Sequence, residues 1–215
     1  MTSISLKKKN GAADALGRFK RFLDQWALFA RQFFKHPGMI GSVIPSSPML
    51  VDSLLDGVDW DRTRLFVEFG PGVGTFTRPI LERLHPDAML LAIDLNPDFA
   101  AYLRSAITDP RLRVIHGSAA DVLRHVQESG QDGADYVLSG IPFSTLPDGV
   151  GEAICAAVRS VLRPEGAFLV YQYSARVRAL LSPLFASIDE RVEWRNIPPC
   201  RMFRAVADGG SSQAA

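Results

Sequence analysis

From residue 64 onward, short apolar runs alternate with stretches in which apolar residues recur every three or four positions. The runs predict strands at Arg64–Phe69, Ala88–Ile93, Leu112–His116, Asp135–Ser139 and Ala167–Gln172, a short one at Val192–Trp194 extended a little either way, and a last at Arg201–Val206. Between them the helical period marks Asp98–Ile107, Asp148–Val161 and Ala175–Phe185. Strands that are apolar along their whole length need helices above and below, so the alternation implies an α/β fold with a mostly parallel sheet. The last two strands have no helix between them and read as an antiparallel hairpin, which makes seven strands. Val161-Leu-Arg-Pro-Glu-Gly166 is expected as the turn that stops the second helix, because proline and glycine end helical runs.

A different pattern precedes the sheet. Phe19, Phe22, Leu23, Trp26, Phe29, Ala30 and Phe33 recur at steps of three and four, one continuous helical face. Arg18, Lys20, Arg21, Arg31 and Lys35 crowd its edges and back. Charge changes the meaning of this face. Residues 1–36 hold eight basic side chains against two acidic ones, +6 in all, which leaves −5 for the rest of a chain whose net charge is +1. Five large aromatics (Phe19, Phe22, Trp26, Phe29, Phe33) flanked by cations suit an interfacial helix on an anionic membrane surface. The alternative is a helix packed on its own domain. Nucleic acid is not an expected partner, since phosphate contacts need no aromatic face. The expected organisation is therefore a basic amphipathic membrane-associating helix over 1–36, an α/β domain over 37–207, and a disordered tail over 208–215.

Composition adds limits. Apolar content of 47% against 22% charged describes a globular chain able to bury a core. Cys155 and Cys200 form no paired motif, and the four histidines lack ligand spacing, so neither a disulfide framework nor a metal is expected. No apolar run reaches membrane-spanning length, and no secretory core precedes Lys7–Lys9. A cytoplasmic monomer, held peripherally on the inner face of the cell membrane, is the expectation.

Chemistry concentrates after the first strand. Val67-Glu-Phe-Gly-Pro-Gly-Val-Gly-Thr75 sets Gly70, Gly72 and Gly74 at alternate positions, and Asp94 closes the second strand twenty residues beyond. A strand, a glycine turn opening a helix, and a second strand ending in an acid form a nucleotide-binding unit. The acid suits ribose hydroxyls. Glu68, two residues before the first glycine, is poorly placed for a pyrophosphate and better suited to a cationic ligand. That spacing resembles the start of class I methyltransferases, whose cofactor S-adenosylmethionine carries an amino group and a sulfonium. The resemblance would place Glu68, Gly70, Gly72, Gly74, Asp94 and Leu95 around the cofactor, with Ser118 and Ala119 at the adenine. Ser118 stands where an acid is common, so Asp121 or the Ala119 backbone could take that contact, or Asp121 could simply cap the next helix.

Ser139-Gly-Ile-Pro-Phe143 and Tyr171-Gln-Tyr-Ser174 end the fourth and fifth strands on the same edge. Enzymes that methylate planar nitrogens often carry Asn or Asp, a proline and an aromatic in the first of these turns. Here Gly140 stands at the amide position, leaving the carbonyls of Ser139 and Gly140 to orient an amine. One of the two tyrosines is expected to pack in the core; Tyr173 is the candidate phenol, for a phosphate oxygen or for the departing amine proton. Ile141, Phe143 and Arg195 are the candidate substrate contacts, with Tyr173 and Phe143 offering aromatic faces to a cationic product. From about Phe33 to Ala205 the sequence resembles bacterial phospholipid N-methyltransferases, on Gly41-Ser-Val-Ile-Pro-Ser-Ser47, the glycine motif, Ser139–Phe143 and Arg195-Asn-Ile-Pro-Pro199. The resemblance implies a Rossmann-like class I methyltransferase fold with an N-terminal amphipathic helix, stepwise methylation of phosphatidylethanolamine, and a phospholipid substrate met at the membrane. Rival readings are an RNA adenine N6-methyltransferase, another small-molecule or protein methyltransferase, and a membrane-binding module with a vestigial site.

Overall fold

The computed structural model describes residues 47–207. In chain order the elements are α1 (Pro48–Leu55), β1 (Leu65–Phe69), α2 (Thr77–Arg83), β2 (Met89–Asp94), α3 (Pro97–Ala106), β3 (Leu112–His116), α4 (Val122–Glu128), β4 (Ala134–Ser139), α5 (Val150–Val161), β5 (Leu162–Gln172), α6 (Val177–Leu181), β6 (Ser187–Glu193) and β7 (Cys200–Val206). The strands form one sheet in the order β3-β2-β1-β4-β5-β7-β6. Strands β1 to β5 run parallel to one another, while β7 is antiparallel to both β5 and β6. This is the mostly parallel sheet with a closing hairpin that the apolar pattern implies. The expected helix over 1–36, with its aromatic face, and the expected tail over 208–215 lie outside the described residues.

Both faces of the sheet are covered, which explains why β1 is buried at every position. On one face Phe66 stacks between Trp60 and Tyr136, at ring distances of 5.9 and 5.8 Å, and joins Leu50, Leu54 and Ile80 from α1 and α2. On the other, Phe168 meets Phe143 at 6.4 Å and Phe185 at 6.2 Å. Helix α5 buries Ile154, Cys155, Val158 and Val161, a stripe at helical spacing. Local signals fix where helices start. Asn96 caps α3 by accepting from the Asp98 N–H at 2.9 Å, with Pro97 in the first turn, and Ser47 caps α1 by accepting from the Leu50 N–H at 3.2 Å.

Three elements differ from expectation. Strand β5 begins at Leu162, paired with Ala134, and resumes at Ala167, paired with Tyr136. The residues between form a bulge in which Glu165 takes a positive φ of 66°, so the expected turn is a break inside a strand. Strand β6 starts at Ser187 rather than near Val192 and stops at Glu193, leaving Trp194 outside. It is an edge strand whose residues alternate between exposed and half-buried as far as Val192, with Glu193 buried, and its charges hide the apolar signal. Helix α6 spans only Val177–Leu181, because Pro183 has no N–H to continue it.

Strand order positions the site. After β1 the chain crosses to β2 on one side, and after β4 to β5 on the other, so a crevice opens beyond the carboxyl ends of these two central strands.

Candidate active site

The glycine turn leaves β1 into this crevice. Gly70, Gly72 and Gly74 all have positive φ (64°, 55° and 87°), where a side chain is strained. Their surroundings differ. A Cβ on Gly74 would lie 3.0 Å from Leu103 Cδ2, so this glycine seats α3 against the turn. At Gly70 it would lie 3.7 Å from Ile141 Cγ1, where the β4 turn closes in. At Gly72 it would meet no described residue within 4 Å. Gly72 therefore presents bare backbone to open space, the condition for close approach by a ligand.

The two acids have separate tasks. Glu68 is 1% exposed, and its Oε2 accepts from Thr77 Oγ1 at 2.7 Å. Burial pushes its carboxyl up to about 8, with the Thr77 bond opposing. Glu68 thus ties β1 to the start of α2 beneath the turn, close enough to Asp94 for that charge to add to the rise. Asp94 ends β2 and reaches across: Oδ1 accepts from the Asn96 N–H at 2.8 Å and Oδ2 from the Gly72 N–H at 3.2 Å. Desolvation raises its carboxyl above the ordinary value, and the N–H bonds from Asn96 and Gly72 draw it back. The Leu95 carbonyl lies 3.1 Å from His116 Nε2. Beyond β3, Ser118 Oγ accepts from the Ala120 N–H at 3.2 Å and caps the short 3-10 turn Ala119–Asp121, in which Ala119 is buried. Asp121 does not cap the following helix; its carboxylate lies 3.7 Å from Arg124.

At the end of β4, Ser139 is fully buried and its Oγ accepts from the Ile141 N–H at 3.2 Å. The Gly140 N–H donates to Phe69 O at 3.0 Å, and Gln172 Nε2 donates to Ile141 O at 2.7 Å, so the turn is clamped from β1 and β5. A Cβ on Gly140 would lie 2.6 Å from the Tyr171 hydroxyl and 3.3 Å from Gly70 O. Tyr171 therefore occupies the space that an amide side chain at position 140 would need. Its ring packs on Phe76 at 4.9 Å, so one phenol bridges the glycine turn and the β4 turn.

Sequence reasoning selected the neighbouring tyrosine. Tyr173 lies beyond the end of β5 and is 55% exposed; partial burial raises its phenol, with the Asn196 amide opposing. Phe143 is 6% exposed and meets Phe168 edge to face, so most of its ring packs in the core. Ile141 is buried beside it in sequence, its side chain against Gly70. Arg195 is committed as well: Nε and Nη2 each bond the Glu193 carboxylate at 2.8 Å, and Ser53 Oγ donates to the same group at 2.6 Å. These bonds hold the Glu193 carboxyl down at about 2.

Ser47, the last residue of one of the more specific motifs, meets Asn196 of the other. Asn196, 1% exposed, accepts from the Ser47 N–H at 3.1 Å and donates to Pro198 O at 2.8 Å. The bond joins Ser47, at the start of the described residues, to the last motif. Nothing in the spacing of either motif alone revealed this pairing.

Comparison with known proteins decides the family. Residues 66–166 match the family model of a methyltransferase domain. The ornithine lipid N-methyltransferase of Singulisphaera acidiphila is 33% identical over 184 residues, which cover 82% of this chain and 93% of that protein. The chain belongs to this family of S-adenosylmethionine-dependent N-methyltransferases. Solved structures place the fold. TrmN from Thermus thermophilus superposes with a TM-score of 0.61 at 20% identity, covering 81% of this chain, which spans about half (52%) of that one. Human methyltransferase-like protein 13 in complex with SAH gives 0.57 at 15%, over 73% of this chain and 77% of that one. A T. thermophilus 16S rRNA N2 methyltransferase in complex with AdoMet and guanosine gives 0.59 at 17%, over 80% and 45%. The fold is the Rossmann-like class I methyltransferase fold, and the cofactor is S-adenosylmethionine.

The methyltransferase's crevice fits that cofactor. The open backbone of Gly72 stands beside the Asp94 carboxylate, an acceptor for ribose hydroxyls, and the Gly117–Ala119 turn lies at the end of the neighbouring strand. Among the described residues no three His, Cys, Asp or Glu side chains group as a metal site, and no helix is long and apolar enough to cross a membrane.

Proposed function

We propose that this methyltransferase moves methyl groups from S-adenosylmethionine to the primary amine of a membrane-lipid headgroup, with phosphatidylethanolamine and its mono- and dimethyl forms as acceptors. Residue 140 carries this reading. A planar base is gripped by an amide that both donates and accepts in its plane, and here Gly140 and the Tyr171 hydroxyl fill that place instead. A tetrahedral amine on a flexible chain needs no such fork. Main-chain carbonyls at Ser139 and Gly140 suffice to orient its N–H groups. The motifs around Ser47 and Arg195–Pro199 favour phosphatidylethanolamine, and the relative's name favours a lipid acceptor. Because that relative is named for ornithine lipid, an amino-acid-headed lipid is the second reading.

Bound S-adenosylmethionine supplies a methyl already activated by its sulfonium. What remains for the chain is alignment and exclusion of water. Asp94 and the glycine turn fix the cofactor from the β1–β2 side, while the turn clamped by Gln172 and Ser139 sets the acceptor from the β4–β5 side. Tyr171, wedged between them, sets their separation. The amine attacks as its free base, its ammonium proton having been lost to solvent before it enters. The new N–C bond leaves a methylammonium, and the broken C–S pair returns to sulfur as a neutral thioether.

The test is direct. The protein is incubated with tritiated S-adenosylmethionine and, separately, with vesicles of phosphatidylethanolamine, vesicles containing ornithine lipid, and total RNA. Label in phosphatidylethanolamine is expected. Label confined to ornithine lipid moves the acceptor to the second reading, and label in RNA but in neither lipid overturns the lipid reading altogether.

A further inference from the structure

We infer that the β6–β7 connection, residues 194–199, is a preformed membrane-insertion tip that sets the catalytic edge of the sheet onto a lipid surface. This deepens the lipid reading above and rests on it. The connection lies at the same edge as the crevice. Phe69 pairs with Ser139 and Ser139 with Val170, and two residues on Gln172 pairs with Arg201, just after the connection ends. Five of its six residues are exposed: Trp194, Arg195, Ile197, Pro198 and Pro199. Trp194 and Ile197 are each 74% exposed, the most open large apolar side chains among the described residues.

The polar groups are arranged in the opposite sense. Asn196, the one buried residue, is satisfied on both sides by the Ser47 N–H and Pro198 O. The Arg195 N–H bonds Glu193 Oε1 at 2.9 Å, and its guanidinium is neutralised on the same carboxylate. Pro198 and Pro199 have no N–H to satisfy. A loop whose polar side chains are answered by the protein, and whose two prolines bring no N–H, costs less to move into the low-dielectric interface than one with bare polar side chains. Tryptophan settles at headgroup depth, with isoleucine and proline on its apolar side.

A lipid surface fits this tip better than a protein does. A bilayer takes protruding side chains without a complementary pocket, while a protein partner needs on the order of 800 Å² of matched surface on each side. Two apolar side chains on one short loop supply insertion points and no such area. The flanking side chains of Tyr173 and Val73, each 55% exposed, belong to the same edge.

The full-length chain with Trp194→Ala and Ile197→Ala is compared with wild type in two measurements. The first is flotation with vesicles of phosphatidylethanolamine and phosphatidylglycerol. The second is methylation of vesicle lipid against methylation of a short-chain, monomeric phosphatidylethanolamine. Both side chains are exposed, so the fold is expected to persist, which the melting temperature verifies. Vesicle binding should fall about tenfold, with KM for vesicle lipid rising alike, while the short-chain lipid is methylated as by wild type. Flotation equal to wild type overturns the inference, as does equal loss on the short-chain lipid, which would make the tip part of the acceptor site. If wild type methylates no lipid, the lipid reading fails, and flotation alone still decides whether the tip binds membrane.

Discussion

Tyr171 and Gly140 share one space, since the phenol oxygen sits 2.6 Å from where a Cβ at 140 would stand. Gly140→Ala should therefore push the phenol off Phe76 and widen the gap between the two turns, lowering kcat/KM by about ten- to a hundredfold. Tyr171→Phe removes the clashing oxygen, so the same glycine change should cost distinctly less in that background. Initial rates across the four proteins of this double-mutant cycle measure the coupling, and strictly additive losses would show that the two residues do not compete. Glu68 makes a prediction of another kind. Its carboxyl ionises near 4.5 when unperturbed but holds its proton up to about 8 in the fold. Between those values the unfolded chain gives up a proton that the folded chain keeps, so stability falls as pH rises through the window. Glu68→Gln keeps an acceptor for Thr77 without the charge. Its melting temperature should match wild type near pH 4.5 and exceed it near pH 8, and parallel curves would show that burial does not penalise the charge. The sequence made Gly72 and Asp94 legible because spacing alone puts them at strand ends. It could not separate Tyr171 from Tyr173, which share one face at period two, because only the point where β5 ends decides which hydroxyl reaches position 140.

At the scale of elements, the central strands were legible and the periphery less so. Strands β1, β2 and β4 are buried on both faces, and an uninterrupted apolar run can be little else in a chain that alternates with helices. Strand β6 carries acids and arginines that pair across the hairpin and to α6, such as Arg201 with Glu190 at 2.6 Å and Arg178 with Glu190 at 3.2 Å. Those charges conceal its period. Bonding far along the chain was invisible for a different reason. Asn196 and Ser47 are 149 positions apart, and no local pattern encodes their meeting. Asn196→Ala should leave the Ser47 N–H and Pro198 O without partners and destabilise the domain by about 1–3 kcal/mol. Because the loss is centred on residues 194–199, limited proteolysis should cut there well before the sheet opens. A variant that melts like wild type and resists cleavage would show that Pro198 and Pro199 hold the loop without the amide.

For the whole molecule, the most telling sequence feature is the division of charge between residues 1–36, at +6, and the remainder, at −5. The glycine turn and Asp94 lie in the second part, so cofactor capture can be measured apart from whatever the basic segment binds. We propose that the basic segment delivers the enzyme to anionic membrane and that the 194–199 tip then orients it. Deleting residues 1–30 should leave S-adenosylmethionine affinity nearly unchanged by calorimetry. Flotation with vesicles should drop sharply, most of all with those rich in anionic lipid. Raising salt to about 0.5 M shortens the Debye length to roughly 4–5 Å, so it should weaken the full-length protein as well. Trp26→Ala with Phe29→Ala should also reduce binding, but with a smaller salt response than removal of Lys7–Lys9, because burying aromatic rings depends on area and not on screened charge. A truncated protein that floats with anionic vesicles as well as the full chain does would leave the Phe19–Phe33 face with no role beyond packing.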